Sequence, residues 1–192
     1  MDAIDALISR RSAIRLVDPA PSGQALEQIL TAAARAPDHG KLRPWRFILI
    51  RGDDRKRLGA VFADAMLEQD PDAPEPLVEK RRQAPLRAPL IVTVAAKVDH
   101  THPKIPAIEQ IVAAGCAAQN IMVAAGALGF GCMWKTGAPA YDPAVKQALG
   151  LAETDEIVGF LYLGTEPTEP PQVRRPEAAE FATEWTAQAA GS

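Results

Sequence analysis

Residues 90–98, LIVTVAAKV, decide the fold, because their branched apolar side chains predict a strand with both faces buried. Residues 156–164, EIVGFLYLG, have the same character. Between these strands lies the longest predicted helix, residues 107–128, in which larger apolar side chains are interspersed with alanine and glycine. Small residues allow another backbone to approach closely. This helix therefore fits either the middle of a core or a seam between two subunits.

Shorter elements are predicted on either side of these segments. Residues 46–51 and 132–136 have the composition of strands. Caps and apolar spacing predict four further helices: a first behind Asp2, a second from Ser22 that ends before Pro37, a third from about residue 53, and a last short one at Asp142.

The whole chain, residues 1–192, is of a size typical of one domain, and residues 168–192 are predicted to form an extended C-terminal tail. Three prolines in the first part of this region argue against a helix there. Two interpretations remain open for the tail: it wraps a partner, or it is a partly disordered surface segment.

Composition narrows the function classes. The chain is 47% hydrophobic and 23% charged, with a net charge of -3, so neither nucleic acid nor an anionic membrane is an expected partner. Cys116 and Cys132 lie in apolar surroundings without CxxC spacing, which favours free thiols in a reducing cytoplasm. The first residues lack the apolar core of a signal peptide. A cytoplasmic location is predicted.

A basic cluster near the N-terminus is the first candidate site. Arg10, Arg11 and Ser12 end the first helix, and Arg15 and Arg35 add further guanidinium groups. Guanidinium groups bind phosphate through paired, charge-assisted hydrogen bonds, and a serine hydroxyl adds a short donor. The cluster therefore indicates a phosphate site, although the same residues also suit a solvated helix end.

The loop at residues 36–45, APDHGKLRPW, is the second candidate. A loop between a helix and a strand can present backbone amides and the His39 imidazole to the polar edge of a planar heterocycle. The alternative is a polar connection with Trp45 packed as an anchor.

The third candidate is residues 129–137, GFGCMWKTG. Its GxG lacks the preceding strand and the later acidic residue of a dinucleotide fingerprint, which argues against a Rossmann site. Lys135 and Thr136 supply a cation and a hydroxyl that suit a phosphate, although an isolated stretch of this kind is more often a glycine-bracketed core strand. His100 and His102 lack a second ligand pair, which disfavours a metal site, and no hydrolytic triad or elbow motif is recognisable.

Together, four stretches in this order resemble the nitroreductase superfamily over nearly the whole chain: DAIDALISRRSAIRLVDPAP, AARAPDH followed by PWRFILI, GFGCMWKTG, and DEIVGFLYLGTE. The resemblance implies an α+β fold with a central, mostly antiparallel sheet flanked by helices. It also implies an intertwined homodimer with a non-covalent FMN at each subunit interface. The implied activity is the transfer of hydride from NAD(P)H through the flavin to nitro compounds, quinones or similar acceptors, in a ping-pong cycle.

The resemblance also implies roles for eight residues. Arg10, Arg11 and Ser12 correspond to phosphate and ribityl contacts, whereas Arg35 and His39 correspond to contacts offered across the dimer interface. Trp134, Lys135 and Thr136 correspond to the strand behind the cofactor. No side chain is assigned as a dedicated acid or base.

This chain departs from the family pattern in its second stretch. Many relatives carry a serine-rich turn and an asparagine before Gln-Pro-Trp, whereas this chain has DHGKLR before Pro44 and Trp45. Lys41 and Arg43 are the candidates for the positive charge near N1 and O2 of the reduced flavin. The long lid insertions of larger members are missing, which predicts an open, unselective pocket.

Two other functions remain possible from the residues. One is an FMN-binding carrier or partner module without significant turnover. The other needs no flavin: the small-residue helix forms a dimer interface, and the arginines bind an acidic partner.

Overall fold

A four-stranded antiparallel sheet organises the molecule in a computed structural model that describes residues 2–168 and 175–185. The strands are β1 (Trp45–Arg51), β2 (Leu90–Ala96), β3 (Gly131–Lys135) and β4 (Glu156–Gly164), in the spatial order β1-β2-β4-β3. Every residue of β2 is buried between two neighbouring strands. The prediction of a central strand at this position is confirmed.

Seven α-helices flank the sheet in the described part of the chain. They are α1 (Ala3–Ser9), α2 (Gly23–Ala33), α3 (Asp54–Gln69), α4 (Glu75–Gln83), α5 (Ala107–Ala127), α6 (Ala138–Tyr141) and α7 (Pro143–Ala148). The Asp2 carboxylate caps α1 by accepting the Ile4 N–H at 2.8 Å, and Asp142 caps α7 in the same way. Ser22 precedes α2 at the predicted position, but its side chain makes no capping hydrogen bond. The prediction that Ser22 caps this helix through its side chain was therefore wrong.

Two apolar layers cover the two faces of the sheet. One packs Leu90, Val92 and Val94 against α2 and α5, and the other packs Ile91 and Phe160 against α3 and α7. The alternation of side chains along a strand assigns neighbouring residues of each strand to different layers.

Helix α5 is long and apolar enough to cross a membrane by length and composition alone. Its inner face, including Ala114, Ala118 and Ile121, is fully buried in the layer that covers the sheet. Packing in the core therefore accounts for the apolar residues of this inner face.

An apolar face remains open on α1 and on the first half of α5. Ile4 and Ile8 are 62% and 67% exposed, and Ile108 and Val112 are 62% and 55% exposed. The buried residue of α1 is Ala6 rather than a larger apolar side chain. These four side chains therefore face away from the core of this chain.

The segment after α1 fixes the candidate phosphate residues to the sheet. The Ala13 N–H donates to the Cys132 carbonyl at 2.9 Å, and Val17 exchanges two backbone hydrogen bonds with Thr165. The extended segment therefore runs beside β3 and the end of β4, which places Arg10, Arg11 and Ser12 next to β3.

The predicted tail lies partly outside the described residues. Within residues 175–185 there is one short 3-10 turn, Ala178–Glu180, and the side chains of Phe181 and Trp185 are exposed. Arg175 reaches the carbonyl of Ser9 at 3.4 Å.

Candidate functional site

Arg10 and Arg11 line a cavity of about 280 Å³ at the C-terminal end of α5. Phe130, Gly131 and Cys132 form the wall contributed by β3 and the residue before it, and Glu166 closes one side. We call this space the arginine cavity.

The two guanidinium groups of the arginine cavity differ in their partners. Arg11 forms an ion pair with Glu166 at 2.6 Å, and both side chains are largely shielded, with 27% and 19% of their surface exposed. Arg10 makes no ion pair or side-chain hydrogen bond with any residue in 2–168 or 175–185. The exposed Ser12 hydroxyl also bonds to none of the described residues. Arg10 and Ser12 are therefore available to an anion, whereas Arg11 is held by a carboxylate.

Glycine at position 131 makes room for this ion pair. A Cβ atom there would lie 2.7 Å from both Glu166 Cγ and Leu16 Cδ2. The GxG of the third candidate segment therefore serves a close side-chain approach beside β3, rather than a dinucleotide turn.

Cys132 lies beside Arg10 but is not a nucleophile at neutral pH. Burial raises the pKa of its thiol to about 12, although the nearby Arg10 charge acts in the opposite direction. The thiol therefore remains protonated and packs as a small apolar group. The prediction of free cysteines is confirmed, with Cys132 buried and Cys116 partly buried.

Lys135 and Thr136 line a different and larger space. This cleft of about 620 Å³ lies between β3, β4, α3 and α4 and is lined by four cations, Lys80, Arg81, Arg87 and Lys135. Its apolar lining includes Phe62, Met133, Phe160 and Tyr162. We call it the basic cleft.

Trp134 packs on the opposite side of β3 from Met133. Its indole N–H donates to the Val158 carbonyl at 3.2 Å, and a Cβ atom at Gly159 would lie 2.1 Å from the indole nitrogen. The close approach to Gly159 fixes the ring, so Trp134 anchors β3 to β4.

Arg35 and the loop that follows α2 border a third, wide-open cavity of about 550 Å³. The Asp38 carboxylate accepts the Arg43 N–H at 2.7 Å. Lys41 and Arg43 have φ angles of 58° and 49°, a left-handed conformation that is rare for residues other than glycine. This loop therefore holds two cations in a strained backbone, which is a feature often found at functional sites.

His39 lies at the edge of that loop and is paired with α5. Its Nδ1 atom is 2.5 Å from Glu109 Oε2, and both side chains are about half exposed. The contact with Glu109 leaves the Nε2 atom of His39 free of protein partners among the described residues.

Within one chain, the eight residues predicted to contact the cofactor do not meet in a single cavity. Arg10 and Arg11 border the arginine cavity, Lys135 and Thr136 border the basic cleft, and Arg35 borders the third cavity. The assignment of these residues to an FMN site shared between two chains stays a prediction.

Two contributions to these cavities were missed from the sequence. Glu166 stands 155 residues from its partner Arg11, just before the proline-containing segment that was predicted to form a tail. The run RRQAPLR at residues 81–87 supplies two cations of the basic cleft and could have signalled them, because it places several positive charges directly before a buried strand.

Solved structures share this architecture. A nitroreductase-like family protein of Bacillus cereus superposes with a TM-score of 0.81 and 26% identity, covering 96% of each chain. A nitroreductase in complex with FMN from Desulfovibrio desulfuricans superposes with a TM-score of 0.73 and 26% identity, covering 97% of this chain and 98% of that one. The helix-flanked antiparallel sheet is therefore the nitroreductase fold, and the predicted α+β class is confirmed.

The chain belongs to the nitroreductase family, whose model matches residues 7–165. It is 48% identical to YdjA of Escherichia coli strain K12, whose name assigns it provisionally to the NAD(P)H nitroreductases, over 86% of this chain and 88% of YdjA. A Haemophilus influenzae protein with the same kind of name is 38% identical over 86% of this chain and 89% of its own length. The predictions of the family and of an oxidoreductase are confirmed.

Proposed function

We propose that this chain is a homodimeric, FMN-dependent oxidoreductase that passes hydride from NAD(P)H to small electron-poor acceptors. The observation that carries the proposal is the pair Arg10 and Ser12, fixed beside β3 by the Ala13 to Cys132 hydrogen bond and free of protein partners in the described part of the chain. The FMN-bound relative with the same fold supports the choice of cofactor.

The donor set of the arginine cavity fits a phosphomonoester. The Arg10 and Arg11 guanidinium groups line the cavity, and the exposed Ser12 hydroxyl follows them in the chain; both kinds of donor match phosphate oxygens. Its volume of about 280 Å³ lies below the roughly 300–1,000 Å³ typical of pockets that enclose a whole cofactor-sized ligand. The cavity therefore suits the phosphate and part of the ribityl chain, while the ring must extend beyond it.

A second subunit would complete the ring site. Monomeric proteins rarely expose large contiguous apolar patches, and α1 and α5 carry five large apolar residues that are more than half exposed. Burying this open face between two copies would bring the partner subunit toward the arginine cavity, which is lined by residues of the same two helices. In that arrangement Arg35 and His39 contact the cofactor held mainly by the other chain.

The protein residues position the cofactor and balance its charge. When bound, FMN would supply the hydride-transfer chemistry between the nicotinamide and the acceptor, and Arg10, Arg11 and Ser12 would hold its phosphate and ribityl chain. Lys41 and Arg43, held in their strained loop, supply positive charge toward the N1 and O2 edge. Trp134, Lys135 and Thr136 form the backing strand. No side chain is assigned as an acid or base, so water or the bound flavin would supply the protons.

The test is the visible spectrum of the purified protein between about 350 and 500 nm, before and after adding NADH or NADPH. The enzyme is expected to be yellow, to bleach with either nicotinamide and to regain colour with a nitroarene or quinone. Arg10→Ala and Ser12→Ala should each raise the Kd for FMN by about tenfold or more, since a hydrogen bond to a charged group contributes about 1.5–3 kcal/mol. Arg57→Ala, at an exposed position of α3, is the matched control.

Each outcome separates the candidate functions. Flavin that binds but is not reduced on the time scale of turnover would favour the carrier or partner module. A colourless monomer that ignores added FMN would refute the proposal and leave the flavin-free alternative.

A further inference from the structure

The imidazole of His39 is held by a carboxylate from a distant helix. His39 lies in the turn that follows α2, and its Nδ1 atom is 2.5 Å from Oε2 of Glu109 in the first turn of α5, 70 residues further along the chain. A carboxylate can only accept a hydrogen bond, so the contact places a ring proton on Nδ1. In a neutral imidazole the Nε2 atom is then an acceptor, because the hydrogen bond at one ring nitrogen decides the role of the other.

The backbone around His39 is fixed without help from this carboxylate. A Cβ atom at Gly40 would lie 2.3 Å from Ile105 Cδ1, so the turn packs directly against the segment before α5. The Asp38 carboxylate also accepts the Arg43 N–H at 2.7 Å, which closes the loop from its other end. The contact with α5 therefore acts on the orientation and the tautomer of the imidazole ring rather than on the course of the chain.

Stability of the fold does not account for this pair. Both side chains are about half exposed, and charged contacts at such positions contribute little to folding because solvent screens them. Glu109 is nevertheless the only charged residue of the whole helix α5, Ala107–Ala127. A single charge on an otherwise uncharged helix, engaged in a contact that adds little stability, indicates a role in a site.

The pair borders the open apolar face of α1 and α5. Glu109 stands next to Ile108 and about one turn before Val112, which are 62% and 55% exposed. Under the proposed function a second subunit covers this face. His39 therefore stands beside the expected boundary between the two chains, with its Nε2 atom free of partners in the described part of its own chain.

We propose that Glu109 is a positioning residue of the cofactor site. It holds the His39 ring with the proton on Nδ1, so that Nε2 accepts a hydrogen bond from the N–H donor on the polar edge of the flavin bound mainly by the other subunit. This inference rests on the proposed function, which gives His39 its contact with that cofactor. Glu109 itself does not touch the flavin, so its whole effect passes through His39.

Equilibrium titration of the full-length apoprotein with FMN measures this effect in a double-mutant cycle. Glu109→Ala and His39→Ala are each expected to raise the Kd for FMN about threefold to tenfold, since each weakens or removes one hydrogen bond to the cofactor. The double variant should bind no more weakly than His39→Ala alone, because Glu109 acts through the imidazole. Glu109→Gln, whose amide oxygen can accept the same bond from Nδ1, should keep most of the affinity.

Glu68→Ala is the matched control, since it removes an exposed carboxylate from α3, which packs on the other face of the sheet. Its Kd for FMN should equal that of the wild type. An effect of Glu109→Ala that is equally large in the His39→Ala background would overturn the proposal. Unchanged or tighter FMN binding in Glu109→Ala would overturn it as well, because the loss of a negative charge by itself favours an anionic cofactor.

A second measurement reads the tautomer of His39 directly. At pH 8, where an ordinary imidazole is neutral, ¹⁵N NMR spectra distinguish a proton on Nδ1 from a proton on Nε2. The chain has three histidines, so the signals of His39 are those that His39→Ala removes. The Nδ1-protonated form is expected in the wild type and in Glu109→Gln, and a mixture of both tautomers in Glu109→Ala. A proton on Nε2 in the wild type would overturn the proposal.

Failure of the broader function has a different signature. A protein that binds no FMN refutes the oxidoreductase proposal and, with it, the role of His39 and Glu109 in a flavin site. Conversely, a flavin that binds and cycles normally, while the effects of Glu109→Ala and His39→Ala simply add, refutes the positioning role of Glu109 alone.

Discussion

Replacing Glu166 by glutamine should strengthen FMN binding, because Glu166 competes with the flavin phosphate for Arg11. The Arg11 to Glu166 contact is 2.6 Å long, and both side chains are mostly shielded from solvent. A phosphate bound at Arg10 would approach a guanidinium group that is already neutralised, and it would also meet the carboxylate charge. The substitution Glu166→Gln removes that charge and keeps the shape of the side chain.

The expected size follows from the partial exposure of the pair. Exposed ion pairs contribute about 0.2–1 kcal/mol, and two unit charges 4 Å apart near a protein surface interact by up to about 4 kcal/mol. Because roughly a quarter of each side chain is exposed, solvent screening keeps the effect near the lower figures. A gain of about 1 kcal/mol corresponds to an approximately fivefold lower Kd for FMN.

Equilibrium titration of the apoprotein with FMN, followed by quenching of flavin fluorescence, measures this change. At high ionic strength the difference between Glu166→Gln and the wild type should shrink, because the Debye length falls from about 10 Å at 0.1 M to about 3 Å at 1 M. Glu153→Gln is the matched control, since residue 153 precedes β4 and residue 166 follows it, a separation of about 30 Å along the strand. If Glu166→Gln weakens FMN binding as much as Arg11→Ala does, Glu166 positions Arg11 and the competition argument is refuted.

Three further predictions concern the subunit interface, the buried ionisable groups and the arginine cavity. Ile4→Glu combined with Ile8→Glu should convert the dimer to monomer, measured by light scattering after gel filtration; a dimer that persists at micromolar concentration would show that α1 lies outside the interface. The free energy of unfolding should fall as pH rises above about 9, because the folded protein retains the protons of Cys132 and Tyr162, whose pKa values are each raised to about 12, while the unfolded chain releases them. Chemical denaturation at pH 7, 9 and 10.5 measures this, and Cys132→Ser should flatten the slope; a slope that Cys132→Ser leaves unchanged would contradict the assignment. Gly131→Ala should destabilise the protein by about 1–3 kcal/mol through contact with Glu166 and Leu16, whereas Gly126→Ala, where an added Cβ meets nothing within 4 Å, should not destabilise it.

Local patterns predicted the elements of the fold closely. The strand at residues 90–98 was recognised because burial on both faces requires branched apolar residues throughout, and β2 spans Leu90–Ala96. The long helix was placed at residues 107–128 and extends over Ala107–Ala127. Composition could not tell which side of that helix faces the core. Both sides are apolar, and only the packed structure shows that Ala114 is buried while Val112 is exposed.

The candidate site was less predictable because its geometry depends on distant parts of the chain. The basic residues near the N-terminus were visible as a cluster, but the pairing of Arg11 with Glu166 spans 155 residues and follows from the bridge between Val17 and Thr165. The basic cleft joins α4 to β3 and β4, and no short motif connects these segments. Ser22 shows the opposite case, in which a favourable residue type occupies a cap position without making the bond.

Strand β3 borders two separate cavities because its side chains alternate: Cys132 reaches the arginine cavity, whereas Met133 and Lys135 reach the basic cleft. Residues at odd and even positions of this short strand can therefore be substituted independently, so the lining of the basic cleft can change during evolution while the lining of the arginine cavity stays the same. A single inserted residue would turn the side chains that follow it to the opposite face of the strand. Both cavities would then lose lining residues at once. Point substitutions, and not insertions, are thus the changes through which this strand can diversify.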